Sequence, residues 1–190
     1  MAIRITYNFD TWDASTVTAS EEASTDLAAS NLVQDHVGKV WRSTTTNPNV
    51  VFDQGSAVAI TCFSVFNFNF TSDATVTLEG NASASWSSPT YSQALTVPTD
   101  ADGNVMKRIV FYLSETFQFW RLVVDDSTNT DGYIDIGRVV AGSYYEPPRS
   151  MSEGFNVQLQ DPSEGSNKAG THTYWRQRNK YRKVTTGFSM

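Results

Sequence analysis

The sequence predicts an all-β fold: a jelly-roll β-sandwich with one short helix and an extended C-terminal arm. Three observations carry this. Charged residues are only 18% of the 190, while aromatics reach 13% and Ser plus Thr number 43. Such a composition describes a β-rich surface that is polar without being ionic. Short runs alternate apolar and polar residues with the period of a half-buried strand. Turn signals punctuate them every 8–15 residues, which suits a sandwich or jelly roll and not a chain of βαβ units. The same figures exclude a coiled coil, a disordered acidic chain and a collagen-like fibre. A chain of this length buries roughly two-thirds of its unfolded surface, so it needs no disulfide or metal to fold. The single Cys62 can form no internal disulfide, and no Cys/His cluster suits zinc.

Residues 2–7 open the chain as a half-buried strand, and Ser15–Ser20 is a second β-prone run. The one helix falls around Asp26–Val33, with an acid at its start and Leu27 and Leu32 to bury. Strands follow at Val50–Asp53, Val58–Phe70, Ala74–Glu79 and Ala94–Val97, divided by Gly55, Ser72-Asp73, Gly80-Asn81 and the stretch from Pro98 to Gly103. Lys107–Leu113, Phe117–Asp125 and Tyr133–Ala141 complete the set, with Ser114-Glu115 and Asp126–Gly132 between them. In Phe117–Val124 both alternating sets are largely apolar, the pattern of a central strand covered on both faces. The paired Pro147-Pro148 cannot continue a ladder. Residues 1–148 therefore read as the sandwich domain and 149–190 as a linker and arm, with one strand-like run at Phe155–Gln160.

Charge divides along the same line. Residues 165–190 hold six basic side chains and no acid, whereas the other 164 residues carry 8 basic and 20 acidic ones. Residues 174–184 form a basic, aromatic stretch. In an extended chain Arg176, Arg178, Lys180 and Arg182 share one face. Such an arm can add to the sheet edge of an acidic neighbour, and the acidic body of another copy is at hand. Its subunit-interface residues are then Tyr174, Trp175, Arg176, Arg178, Lys180, Tyr181, Arg182 and Phe188. Single-stranded nucleic acid is the weaker partner, because the acidic body repels it.

Enzymatic chemistry is absent from the pattern. No nucleophile elbow, phosphate-binding loop or dinucleotide glycine run occurs. His36 and His172 lie far apart in polar surroundings, and Cys62 sits in a strand pattern among Ile60, Phe63 and Val65 without a cationic neighbour. Asp125–Gly132 is the most metal-like stretch. With Gly132 in the sixth position of a calcium loop, Arg138 would stand where a bidentate Glu is required, so the loop reads as a polar hairpin. No catalytic residue, metal or cofactor is expected. Asn69-Phe70-Thr71 and Asn81-Ala82-Ser83 match the glycosylation sequon by chance in a Ser/Thr-rich chain. No stretch is apolar enough to span a membrane, and the first residues have no apolar signal region, so a protein made in the cytoplasm is expected.

Several strings recur in a recognisable order: Ala28-Ala29-Ser30-Asn31-Leu32, Asp35, Val40-Trp41-Arg42-Ser43, then Val50-Val51-Phe52-Asp53-Gln54-Gly55. Ala74 to Gly80, Phe119-Trp120-Arg121-Leu122-Val123-Val124 and Gly132-Tyr133-Ile134-Asp135-Ile136-Gly137-Arg138 complete the order. The set resembles galactose-binding-like (discoidin, or coagulation-factor C-type) jelly-roll domains, in the versions found in tailed-bacteriophage virion proteins, over about residues 16–146. The resemblance implies a non-enzymatic structural component of a phage tail or baseplate, located in the virion. Its partners would be other copies of itself and other tail or baseplate proteins, with no nucleic acid and no membrane. Trp41 would plug one end of the sandwich, and Asp135 and Arg138 would pair across a turn. Many members of the broad fold bind sugars through loop aromatics. The alternative is therefore a carbohydrate-binding module for host glycans, with Trp86, Tyr91 and Tyr133 as candidate loop contacts and the Trp86 indole exposed.

Overall fold

The longest apolar alternation in the sequence becomes the longest strand. The computed structural model describes residues 4–7, 9–36 and 38–146, and the backbone of 156–160, 164–168, 172–176 and 181–185. Eight strands, β1 (Ile5–Tyr7), β2 (Thr16–Ala19), β3 (Trp41–Arg42), β4 (Asn49–Phe68), β5 (Thr75–Asn81), β6 (Tyr91–Leu95), β7 (Arg108–Asp125) and β8 (Asp135–Tyr145), form an antiparallel array. Their order is β1-β8-β4-β7-β5-β6, with β2 also on β4 and β3 also on β8. The chain divides into two compact units, Thr6–Tyr145 and a second made of Met1–Ile5 with Glu146–Met190.

The array is a sandwich because β4 and β7 pass through both layers. The first part of β4 pairs with β2 and with Phe119–Val123 of β7, which in turn pairs with β5. The second part pairs with Arg108–Phe117 of β7 and with β8. Phe52 and Phe63 are 11 positions apart, about 36 Å in a straight strand. Yet Trp12 touches both, with ring centroids at 4.7 and 5.8 Å. The strand must therefore turn the corner, and it does so at Gln54–Ala57, where the register between Asp53 and Val58 shifts. Gly55 takes φ +71°, a conformation glycine adopts without strain, and its N–H donates to Asp53 Oδ1 at 2.8 Å. The two strands expected at Val50–Asp53 and Val58–Phe70 are thus one bent strand. Lys107–Leu113 and Phe117–Asp125 likewise merge into β7, because Ser114-Glu115 sits at a second register shift and not at a turn.

The expected helix at Asp26–Val33 is two short 3-10 helices, Thr25–Leu27 and Ala29–Val33, separated by an extended Ala28. Eight residues are too few to sustain an α-helix without help, and side chains here compete for the backbone. Glu22 Oε1 accepts the Ala29 N–H at 2.7 Å, and Asn31 Nδ2 donates to the carbonyls of Asp26 and Val40. The one α-helical turn among the described residues, α1 (Asp10–Asp13), lies where no helix was expected. It places Trp12 in the core, with its indole N–H on the Val139 carbonyl at 3.1 Å.

Trp12, Trp41, Trp120, Phe52 and Phe63 are the largest buried side chains, joined by the aliphatic residues of β4, β5, β7 and β8. In the C-terminal part of β7, Trp120, Leu122 and Val124 are buried. Phe119, Arg121 and Val123 on the other face are only half-buried, so the expected cover on both faces is partial. Gly80 lies opposite Trp120, and a Cβ there would meet the Phe117 ring at 2.5 Å. Tyr91, opposite Gly80, packs its ring 5.9 Å from Trp120 and 6.3 Å from Phe117. It opens β6 and is a strand residue at the margin of the core, not a loop residue.

Asp135 and Arg138 do not pair with each other. Three apart in a strand, they face opposite sides of the sheet. Arg138 is buried and donates from Nη2 to both carboxylate oxygens of Asp13, at 2.9 and 2.7 Å, with Asp35 Oδ1 at 3.3 Å. Cys62 is fully buried, and His36 is exposed.

Among the described residues from 146 onwards there are four strands. β9 (Asn156–Gln160) pairs antiparallel with β12 (Tyr181–Thr185), and β10 (Glu164–Lys168) with β11 (His172–Arg176). In sequence the inner ladder lies within the span that the outer one closes, and the two ladders make up the ribbon of this unit. Of the arm residues expected at a subunit interface, Tyr174, Trp175 and Arg176 lie on β11 and Tyr181 and Arg182 on β12. Arg178, Lys180 and Phe188 lie outside the described residues.

Two outcomes are expected from this packing. Trp12→Ala opens a cavity where the layers meet and should lower unfolding stability by about 3–5 kcal/mol in urea titrations. Burial, reinforced by Glu115, pushes the Tyr91 phenol up from its ordinary value. The folded protein then prefers neutral tyrosine, so stability present below the unfolded pKa of about 10 is lost as pH rises towards the folded one. Tyr91→Phe should fall less steeply in stability above that pH than the parent, as read by denaturant midpoints.

Candidate functional site

Two strings far apart in sequence meet at one end of the sandwich. β3 pairs with the start of β8, Trp41 opposite Ile136 and Arg42 opposite Asp135. Arg42 donates to Asp135 from Nε and Nη2, at 2.8 and 2.7 Å, a two-pronged ion pair that fixes the guanidinium plane. Asp135 accordingly holds the Arg42 pKa above its ordinary value. The guanidinium lies over the Tyr133 ring with its carbon 4.0 Å from the centroid, within cation–π range. Next to it Ser43 is buried. Its hydroxyl accepts the Ile134 N–H at 2.7 Å and donates to the Thr45 carbonyl at 2.5 Å.

Asn69 ties the neighbouring loop to this pair. Its Oδ1 accepts the Asp135 N–H at 2.8 Å, and its Nδ2 donates to Asp131 Oδ2 and to the Tyr133 carbonyl, at 3.0 and 3.1 Å. The Asn69 sequon is therefore a structural knot. Asp126, nearly fully buried, accepts from Thr71 N, Thr71 Oγ1, Thr128 Oγ1 and Asn129 Nδ2. Its carboxylate is spent inside the loop, and among the described residues no group of three or more His, Cys, Asp or Glu side chains is placed to hold a metal. The result is a pinned platform: an aromatic ring, a guanidinium whose Nη1 has no partner among the described residues, and the exposed carboxylate of Asp131.

Trp86 lies elsewhere. It is half-buried, not exposed, because its ring stacks on the Arg121 guanidinium at 4.6 Å on the outer face of β7. Arg121 is held in turn by Glu79 at 2.6 Å. Tyr91 stands level with Trp120, five residues from the Asp125 end of β7, about 17 Å along the strand. The loop that carries Tyr133 begins only after that end. The three candidate aromatics thus do not converge on one site. Sequence reading missed Arg42 and Asn69 as neighbours of Tyr133, since Asn69 is 64 positions from it and Arg42 is 93 positions from Asp135, which leaves no local signal; Asp131, two residues before Tyr133, was read only as part of a polar hairpin loop.

No family model matches the sequence, and no curated protein matches it. The fold is shared with solved structures. A mutant of chitosan-binding module 1 from the chitosanase/glucanase of Paenibacillus sp. IK-5 superposes with a TM-score of 0.53 at 17% identity, over 71% of this chain and 98% of that one. The lectin domain of lectinolysin, solved with Lewis B antigen, gives 0.55 at 11% identity, over 70% and 96%. The family 32 carbohydrate-binding module of C. perfringens NanJ, solved with galactose, gives 0.52 at 10% identity, over 75% and 100%. At these identities the likeness establishes the fold alone, a jelly-roll β-sandwich.

Proposed function

We propose that the chain is a non-catalytic glycan-recognition module whose contact surface is the platform of Tyr133, Arg42 and Asp131. The observation that carries this reading is the Arg42 guanidinium clamped by Asp135 over the Tyr133 ring. A pyranose offers an apolar face of C–H groups and a rim of hydroxyls. An aromatic edge, a free guanidinium nitrogen and a carboxylate match that pattern, and a site pinned before binding loses little entropy on binding. That whole modules named for chitosan, Lewis B and galactose share the fold supports the reading. Trp86 is the weaker candidate, since Arg121 and Glu79 satisfy each other beneath it.

A building block of a phage tail or baseplate is a second reading, favoured by the division of charge between an acidic body and a basic arm.

The test is a titration of the full chain with oligosaccharides ending in galactose, fucose or glucosamine, followed by calorimetry or NMR. At least one class should bind, and Tyr133→Ala and Arg42→Ala should each weaken it about tenfold or more, roughly the 1.4 kcal/mol of one good contact. Trp86→Ala should leave affinity within about twofold. Equal binding by the parent and Tyr133→Ala would remove the platform from the site.

A further inference from the structure

The second layer has an unusual outer face. Residues directly opposite in neighbouring strands share a face, so Val140, Ser64 and Val110 form one outer row and Arg138, Phe66 and Arg108 the next. Val110 is 46% exposed. Beside it lies a depression of about 390 Å³ lined by Thr6, Phe9, Ser64, Phe66, Arg138 and Val140. A solvated sheet face is usually polar at such positions.

This face ends at an open edge. The β5 ladder reaches β7 only from Phe119 onwards. Among the described residues, Arg108–Phe111 and Glu115–Phe117 have a ladder partner on the β4 side only. An edge strand offers a row of backbone donors and acceptors to any other edge. The ribbon has such edges: each of β9–β12 has one ladder partner among the described strands.

Charge selects between occupants. Thr6–Tyr145 holds 16 acidic and 6 basic side chains, a net of −10. Three of the six cations, Arg42, Arg121 and Arg138, are already held by carboxylates of the same unit. In sequence, residues 176–183 hold Arg176, Arg178, Lys180, Arg182 and Lys183 with no acid. Along the edge itself Lys107 and Arg108 repel a basic strand and Glu115 attracts one, so charge favours the Glu115 end.

We propose that the C-terminal ribbon of one copy docks along the β7 edge of the next, extending its outer layer and covering Val110. One surface meets a different surface, so the contact is heterologous and joins copies head to tail into a ring or an open stack. This does not depend on glycan binding.

Sedimentation of the full chain tests it. At low salt the parent should run as assemblies above the 21.1 kDa monomer and revert towards monomer at about 0.5 M salt, where the Debye length is short. Val110→Lys should weaken association at least about tenfold with an unchanged circular dichroism spectrum, since lysine on an edge discourages pairing. Ser114→Lys, at an exposed position of the same edge, repeats the test if the first variant does not fold. The fourfold change of Arg176, Arg178, Lys180 and Arg182 to Ser should be as weak. Mixing the edge variant with the arm variant should restore one functional contact and give a 1:1 dimer that grows no further. A parent that stays monomeric at every salt, an edge variant that assembles like the parent, or a mixture that stays monomeric would each overturn the proposal.

Discussion

Everything in the first unit depends on β4 turning a corner. A twenty-residue strand that stayed straight would pair in one sheet, and Trp12 would have no second layer to pack against. The corner is local and cheap: three residues more than on the facing strand, one glycine at φ +71° and one Asx contact from Asp53. Its consequence is global. The same strand carries the hydrogen-bond ladders of both layers, so neither layer can slide without breaking the other. Register in each is further fixed by which face is apolar, because a one-residue slip would turn every buried side chain outwards.

The platform at the sandwich end inherits this rigidity. β3 has only two residues, too few to hold a register by backbone bonds alone. It is held instead by Trp41, fully buried, by the Arg42–Asp135 pair and by the Ser43 hydroxyl on Ile134. Arg42 is partly exposed, so its ion pair adds little to stability. Its effect is geometric: two bonds fix the plane of the guanidinium, and the plane fixes the stacking on Tyr133. A loop aromatic on a free chain would lose that orientation to rotamer entropy.

How much of this was legible in the sequence follows from which signals are local. Alternation located β2, β4, β5, β7 and β8, because each strand writes its own burial into every second residue. Alternation does not say whether a glycine ends a strand or bends it. Gly55 looked like a stop and is a corner, and the outcome depends on ladders to β7 and β8 that lie 50 or more positions away. The helix at Asp26–Val33 was misread because composition reports propensity, while Glu22 and Asn31 settle the backbone through side-chain bonds. The Asp135–Arg138 pairing was open to correction from strand geometry alone, since an odd spacing puts them on opposite faces. Tyr133 was legible as an aromatic in a polar loop. The partners that make it a platform were not, because Arg42 and Asn69 reach it only through the fold.

Assembly and recognition bear on each other through arithmetic more than through contact. A shallow platform of one ring, one guanidinium and one carboxylate buries little of a sugar, so a single site binds weakly whatever its rigidity. On the two proposals together, joining copies through a separate surface would leave each platform untouched and multiply the number that face a glycan-bearing surface. The second binding event then becomes intramolecular, and avidity rises by factors of about a hundred or more without a new sugar contact. An edge on the outer layer and a platform at the sandwich end are different surfaces of the same unit, so occupying one need not block the other. The division of charge serves the same arrangement. Three of the four arginines of that unit, Arg42, Arg121 and Arg138, are held by its own carboxylates, so the unit keeps an excess of acid.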